Sequence, residues 1–221
     1  MSRYAVPGRE SRFVTPLGEA RTVTARARTP IATLLLSHGA GGGIGSRDLA
    51  ALATALPRQG VTVVCFEQPW VLAGRKVASS PPTLDDGLRA AAGRLRSAAP
   101  LIVGGRSAGA RSAARCATGL GAAGCLALAF PLHPPGQPGK SRIDELVGSG
   151  CPTLVVQGER DSFGCPDEFP EGTDMCVIPG GDHGLSVPKR GPVTEEEAMA
   201  ILVEATLEWM IREVIGESSG E

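Results

Sequence analysis

Aromatic side chains are scarce in this sequence: five phenylalanines, two tryptophans and one tyrosine in 221 residues. So few rings leave no aromatic signature of a substrate pocket, and the short connection 131–142 adds none. A charge excess of one sign is also missing, since 22 Lys+Arg against 23 Asp+Glu leave a formal net charge of −1. Nothing therefore points to nucleic acid, and no basic run is long enough for an anionic membrane surface. Apolar runs such as Cys125–Phe130 are far too short to span a bilayer. The stretch from Met1 to Gly8 lacks the apolar core of a secretory signal. Together these absences predict a cytoplasmic protein with neither a nucleic-acid nor a membrane partner. Metal spacing is absent from the six cysteines, and Cys65, Cys125 and Cys176 sit inside apolar, strand-like runs. Buried structural thiols are expected there, not zinc ligands or disulfides, and neither a metal nor another cofactor is predicted.

What is present reads as an ordinary globule, 42% hydrophobic and 20% charged. The length suits one domain over residues 1–216, with a disordered C-terminal tail at 217–221. Strand-like runs at Ile31–Ser37, Val61–Phe66, Leu101–Gly104, Cys125–Phe130, Thr153–Gln157 and Asp174–Ile178 alternate with helix signals. That alternation predicts an α/β fold with a mostly parallel central sheet and helices on both faces. Arg12 to Arg26, broken at Pro16-Leu17-Gly18, reads as an antiparallel edge hairpin. Ser46 heads one predicted helix and Thr83 another through Leu84, Leu88 and Leu95, while Thr194-Glu195-Glu196-Glu197 is a capping box for the last. The longest irregular stretch, Glu67 to Pro82, is where a flap could cover a site, and no insertion is long enough for a separate lid domain.

Gly104-Gly105-Arg106-Ser107-Ala108-Gly109 follows the apolar run Leu101-Ile102-Val103 and precedes a helix-forming run from Ala108 to Thr118. Strand, sharp turn and helix form the context in which Gly-x-Ser-x-Gly lifts a serine clear of a sheet. Gly105 and Gly109 would let strand and helix pass without a Cβ clash.

A serine nucleophile needs a base, a group to hold that base, and N–H donors for the oxyanion. Asp161, just past the strand Thr153–Gln157, is the candidate acid, with Glu159 as the fallback. Of three histidines, His183 in Gly180-Gly181-Asp182-His183-Gly184 follows the strand Asp174–Ile178 and is the candidate base. His38-Gly39-Ala40-Gly41-Gly42-Gly43 follows the strand Ile31–Ser37 and suits an oxyanion loop, with donors expected from the N–H groups of Ala40 and Ala108. Those glycines could alternatively cradle phosphate, but the sequence holds no Gly-x-x-x-x-Gly-Lys-[Ser/Thr]. His133 either lines the pocket or only fixes its own loop, and His38 and Trp70 are further candidates for substrate binding.

With these blocks in place, the chain resembles the α/β hydrolases over nearly its full length, in particular a small capless group similar to dienelactone hydrolases. That group includes a testis-expressed protein and the hydrolase-like region of a histone acetyltransferase complex subunit. The likeness is carried by Ser37-His38-Gly39-Ala40-Gly41, Gly104 to Arg111, Pro131 to Gly136, Gln157 to Asp161 and Gly181-Asp182-His183. It implies Ser107 as nucleophile, Asp161 as acid and His183 as base. The chain departs from the group's pattern at Phe66-Glu67-Gln68-Pro69-Trp70, where a more basic, aromatic segment is expected.

The expected activity is hydrolysis of a small-molecule acyl substrate (an ester, thioester or lactone) through an acyl-enzyme. Acyl transfer by the same residues and a noncatalytic interaction module on the same scaffold are the alternatives. The sequence specifies neither the acyl chain length nor the oligomeric state.

Overall fold

Leu34, Leu35 and Leu36 are all fully buried, although successive residues of a strand face opposite sides. A strand can bury both faces only where the sheet is covered on both. The computed structural model, which describes residues 4–216, has this arrangement. The tail expected at 217–221 lies outside the described residues.

Eight strands form one sheet: β1 (Arg9–Thr15), β2 (Gly18–Ala25), β3 (Ala32–Ser37), β4 (Val61–Glu67), β5 (Leu101–Arg106), β6 (Gly124–Leu128), β7 (Thr153–Gly158) and β8 (Met175–Ile178). Their spatial order is β1-β2-β4-β3-β5-β6-β7-β8. The hairpin β1/β2 and the pair β2/β4 are antiparallel. Every pairing from β4 through β3 to β8 is parallel.

Among the described residues six α-helices connect or cover the strands: α1 (Arg47–Ala55), α2 (Pro69–Leu72), α3 (Pro81–Ala92), α4 (Ala108–Ala117), α5 (Ile143–Val147) and α6 (Glu195–Trp209). On one face, Leu49 and Leu52 of α1 and Leu202 and Trp209 of α6 pack on Leu34, Leu36, Val63 and Leu126. On the other, Leu88 of α3, the alanines of α4 and Leu146 of α5 pack on Leu35, Val64, Val103 and Val155. Alternate strand residues thus feed two cores.

Helix α3 begins two residues earlier than the sequence pattern predicts. Pro81 and Pro82 occupy its first turn, where a missing N–H costs nothing and the fixed φ suits a helix. Thr194 and Glu197 form the expected capping box on α6. The expected flap region is partly ordered by α2 and by Gln68, whose Nε2 donates to Leu84 O at 2.9 Å. Residues Ala73 to Ser80 remain irregular. All six cysteines are free thiols, and burial pushes Cys65 up to about 12. Among the described residues no helix is long and apolar enough to cross a membrane.

Helix α4 sits unusually close to the sheet. A Cβ on Gly109 would lie 2.5 Å from Ser37 O and 2.7 Å from His38 O, and one on Gly105 would lie 2.5 Å from Ser37 O. Gly119, just past α4, has nothing within 4 Å of the same position. Gly109→Ala should therefore cost about 1–3 kcal/mol, lowering Tm by several degrees. Gly119→Ala should leave Tm unchanged or slightly raised. Differential scanning calorimetry of both variants checks the contrast, and equal Tm values would refute it.

Candidate active site

Ser107 stands at the junction of β5 and α4 with φ 53° and ψ −113°. Few non-glycine residues adopt such a conformation, and a sharp strand-to-helix turn is where it puts a hydroxyl above the sheet. Ser107 N donates to Leu128 O at 2.9 Å and Ser107 O accepts from Arg111 N at 3.1 Å, fixing the turn on both sides.

Three loops at the C-terminal ends of parallel strands converge on that hydroxyl. Ser107 Oγ lies 2.9 Å from His183 Nε2, and His183 Nδ1 lies 2.8 Å and 3.0 Å from the two carboxylate oxygens of Asp161. The carboxylate can only accept, so Nδ1 carries the proton and Nε2 is left to accept from the serine hydroxyl. Asp161 is wholly buried, and its charge is satisfied from three directions. Phe163 N donates to Oδ1 at 2.8 Å, Gln157 Nε2 donates to Oδ2 at 2.9 Å, and His183 closes the set. Glu159, the alternative acid, is spent elsewhere, accepting from Gly180 N at 2.5 Å.

The loop after β3 runs beside the serine. A Cβ on Gly39 would lie 3.3 Å from both Ser107 Cβ and Arg106 O, so glycine permits this approach. Ala40 follows in an exposed turn, and Ala108 opens α4. An N–H in the first turn of a helix has no acceptor within that helix. A cleft of about 610 Å³ is lined by Gly39, Gly41–Gly43, Gly45, Ser46, Arg21, Glu67, Val71 and Arg106; Gly39 and Arg106 link it to the serine turn, and neither Ser107 nor His183 lines it. Among the described residues no three His, Cys, Asp or Glu side chains are grouped to hold a metal ion.

A family model described as an alpha/beta hydrolase domain matches residues 30–211. The chain belongs to the α/β-hydrolase family. No curated protein matches it. A lidless α/β serine hydrolase from Xanthomonas campestris shares its fold at TM-score 0.70 and 19% identity, covering 93% of this chain and 96% of its own. An α/β serine hydrolase homologue from Coxiella burnetii does so at TM-score 0.70 and 18% identity, covering 91% and 98%. A dienelactone hydrolase from Anabaena variabilis aligns at TM-score 0.67 and 15% identity over 93% and 99%.

Within this α/β hydrolase, three residues considered for substrate binding have other roles. His38 is buried, and both ring nitrogens are engaged. Nδ1–H donates to Gly39 O at 2.8 Å, while Nε2 accepts from Gln68 N at 3.0 Å. Burial holds its pKa below the usual histidine value, so it is a neutral brace between two loops. Trp70 is also buried, packed 5.6 Å from the His38 ring, and presents no wall to the cleft. His133 donates from Nδ1 to Pro134 O at 2.9 Å and from Nε2 to Glu168 Oε2 at 2.8 Å. The Pro134 carbonyl, reinforced by the Glu168 carboxylate, raises its pKa and favours the imidazolium. His133 therefore fixes its own loop and has no nitrogen left for a substrate.

Sequence patterns did not single out Gln157, Phe163 or the side chain of Arg106. Phe163 stacks on the His183 ring at 4.1 Å. Gln157 was legible only as a lone amide closing an apolar strand four residues before the acid. Its Nε2 serves Asp161 Oδ2, Phe130 O at 3.2 Å and Gly164 O at 2.9 Å. Gln157→Leu keeps the volume but removes these donations, leaving a buried carboxylate and two carbonyls short of partners. A loss of at least about 2 kcal/mol is expected. Urea denaturation at constant m-value measures it, and an unmoved midpoint would discount the amide.

Proposed function

We propose that this chain is a serine hydrolase cleaving a carboxylic ester, thioester or lactone of a small acyl substrate. The unbroken relay from Ser107 Oγ through the His183 ring to the buried Asp161 carboxylate carries the reading. His183 Nε2 takes the hydroxyl proton as Oγ attacks the carbonyl carbon. Asp161 holds the imidazole in the required tautomer and stabilises the imidazolium that forms. The N–H groups of Ala40 and Ala108 hold the oxyanion of the tetrahedral intermediate. The imidazolium then protonates the leaving oxygen or sulfur and an acyl-enzyme remains. Water, deprotonated by the same histidine, attacks the acyl carbon and releases the acid.

The cleft that Gly39 and Arg106 link to the serine turn supports a reading of short acyl groups. Glycines, Arg21, Glu67 and Arg106 dominate this cleft, and Val71 is its one branched aliphatic residue. A long acyl chain would find little apolar surface there. The conformation of Ser107 counts against a bare scaffold, because a left-handed serine costs about 1–3 kcal/mol that an interaction module has no reason to bear.

The wild-type protein should be labelled by a fluorophosphonate probe and should turn over p-nitrophenyl acetate faster than the palmitate ester. Ser107→Ala should abolish both labelling and turnover, and Asp161→Asn should lower kcat by about 10³–10⁴ through the wrong histidine tautomer. A folded wild-type protein that is never labelled would sink the hydrolase reading.

A further inference from the structure

The loop that carries His183 belongs to no strand or helix, so something must fix it against the serine. Its internal bonds make a compact turn. Asp182 Oδ1 accepts from Gly184 N at 2.7 Å and Ser186 N at 2.9 Å, and Leu185 N donates to Asp182 O at 2.8 Å. A turn closed on itself still has to be tied to the frame. Upstream, Arg160 donates from Nε and Nη2 to Gly180 O at 3.1 Å and 2.8 Å, and Arg160 N donates to Gly181 O. Downstream, the Arg47 guanidinium on α1 donates to Ser186 Oγ and pairs with Glu195. The peptide of His183 lies between these two ties.

One side chain reaches it. Arg106 Nη2 donates to His183 O at 3.1 Å. On its other flank Arg106 Nε lies 3.2 Å from Asp48 Oδ2, and that carboxylate is only 2% exposed. Asp48 sits on α1, whose Leu49 and Leu52 are fully buried in the core. The backbone of Arg106 is the last rung of β5, paired with Leu128, immediately before Ser107. A single guanidinium thus spans the rigid helix, the nucleophile turn and the base-bearing loop.

We propose that Arg106 is a positioning residue, with Asp48 as its anchor: together they hold His183 at hydrogen-bonding distance from Ser107. This rests on the hydrolase reading above. Two physical points favour it over a plain structural ion pair. First, the guanidinium donates from Nη2 to the His183 carbonyl while its charge lies against the Asp48 carboxylate as an ion pair, with no directed hydrogen bond between Nε and Oδ2. Second, an unpaired cation beside the relay would oppose the imidazolium that forms in each half-reaction. A buried Asp48 offsets that charge, which explains a carboxylate in an otherwise apolar helix face. Arg106 also lines the cleft, but its guanidinium bonds the His183 carbonyl and neither Ser107 Oγ nor the His183 ring, so the proposed effect runs through the loop.

The test compares wild type with Arg106→Gln, Arg106→Lys, Asp48→Asn and the double variant Arg106→Gln/Asp48→Asn. Wild-type labelling by the fluorophosphonate probe is established first, so a wholly inert wild type refutes the hydrolase assignment and not this one. Misplacement of about 1 Å can cost a factor of 10² in rate. Arg106→Gln is therefore expected to lower kcat on p-nitrophenyl acetate by about 10–100-fold with KM changed by less than about threefold. Arg106→Lys should recover part of the loss, Asp48→Asn should fall between, and the double variant should be no worse than Arg106→Gln, since the two act as one unit. Proton NMR supplies a readout independent of turnover. The downfield Nδ1–H signal of His183, sustained by its bond to Asp161, should broaden or vanish in Arg106→Gln and persist in the wild type. A lowered Tm with kcat per folded molecule and the His183 signal both unchanged would overturn the proposal, as would a change confined to KM. Should Arg106→Gln fail to fold, wild-type kcat and an intact signal in both Arg106→Lys and Asp48→Asn would overturn it equally.

Discussion

Ser107 is held at φ 53° and ψ −113°, a conformation the chain would leave if either flank could relax. Neither can. On the strand side, Ser107 N is bonded to Leu128 O, and the bare backbones of Gly105 and Gly109 are pressed against the carbonyls of Ser37 and His38. On the helix side, α4 is clamped across its outer face by two guanidinium forks. Arg115 donates to both oxygens of Asp85 on α3 at 2.7 Å and 2.8 Å, and Arg111 donates to both oxygens of Glu145 on α5 at 2.5 Å and 2.7 Å. The two arginines outweigh burial and hold the Glu145 carboxyl below the usual range, keeping it charged. Strain at one residue is stored because the strand beneath it and the helix beyond it are independently fixed.

The same logic governs the charges around the serine. Asp161 is removed from water, and a buried carboxylate left without hydrogen-bond donors is costly. Donors from Phe163, Gln157 and His183 replace the lost water, and each also fixes an angle. The outcome is a carboxylate whose orientation leaves little choice for the imidazole bonded to it. Phe163 restrains the plane of that imidazole by stacking on it. Charge satisfaction and geometric precision are here the work of the same few hydrogen bonds.

The sequence made the sheet, its edge hairpin and the three relay residues legible because each signal is local: an apolar run, a glycine pair, a capping box, a polar residue just past a strand. Partnerships between distant segments were not legible. Arg106 and His183 are 77 residues apart, and no periodicity links them. A histidine at a strand end has no visible partner in one dimension, so the sequence offers His38 as a candidate for substrate binding and leaves His133 open between lining the pocket and fixing its own loop. In space, Gln68 N and Gly39 O use up the first, and Pro134 O and Glu168 use up the second. Trp70 was placed in a loose segment by the prolines and glycines around it. Its ring is nevertheless large enough to be drawn into the core, and α2 forms where it is drawn in.

The order of strands explains which loops meet at Ser107 and which does not. β3 and β5 are neighbours, so the glycine loop after β3 necessarily flanks the serine after β5. β7 and β8 are neighbours, so Asp161 and His183 arrive side by side. Between the two pairs lies β6, whose trailing loop Pro131–Gly136 has its histidine already saturated. What that loop does is structural: His133 N donates to Phe163 O at 2.9 Å, and Leu132 packs so closely on Gly164 that a Cβ there would lie 2.6 Å away. It thereby supports the residue that stacks on His183 and the carbonyl that Gln157 bonds. A histidine in that position is consumed by Pro134 O and Glu168, whereas the one at 183 reaches Ser107 Oγ.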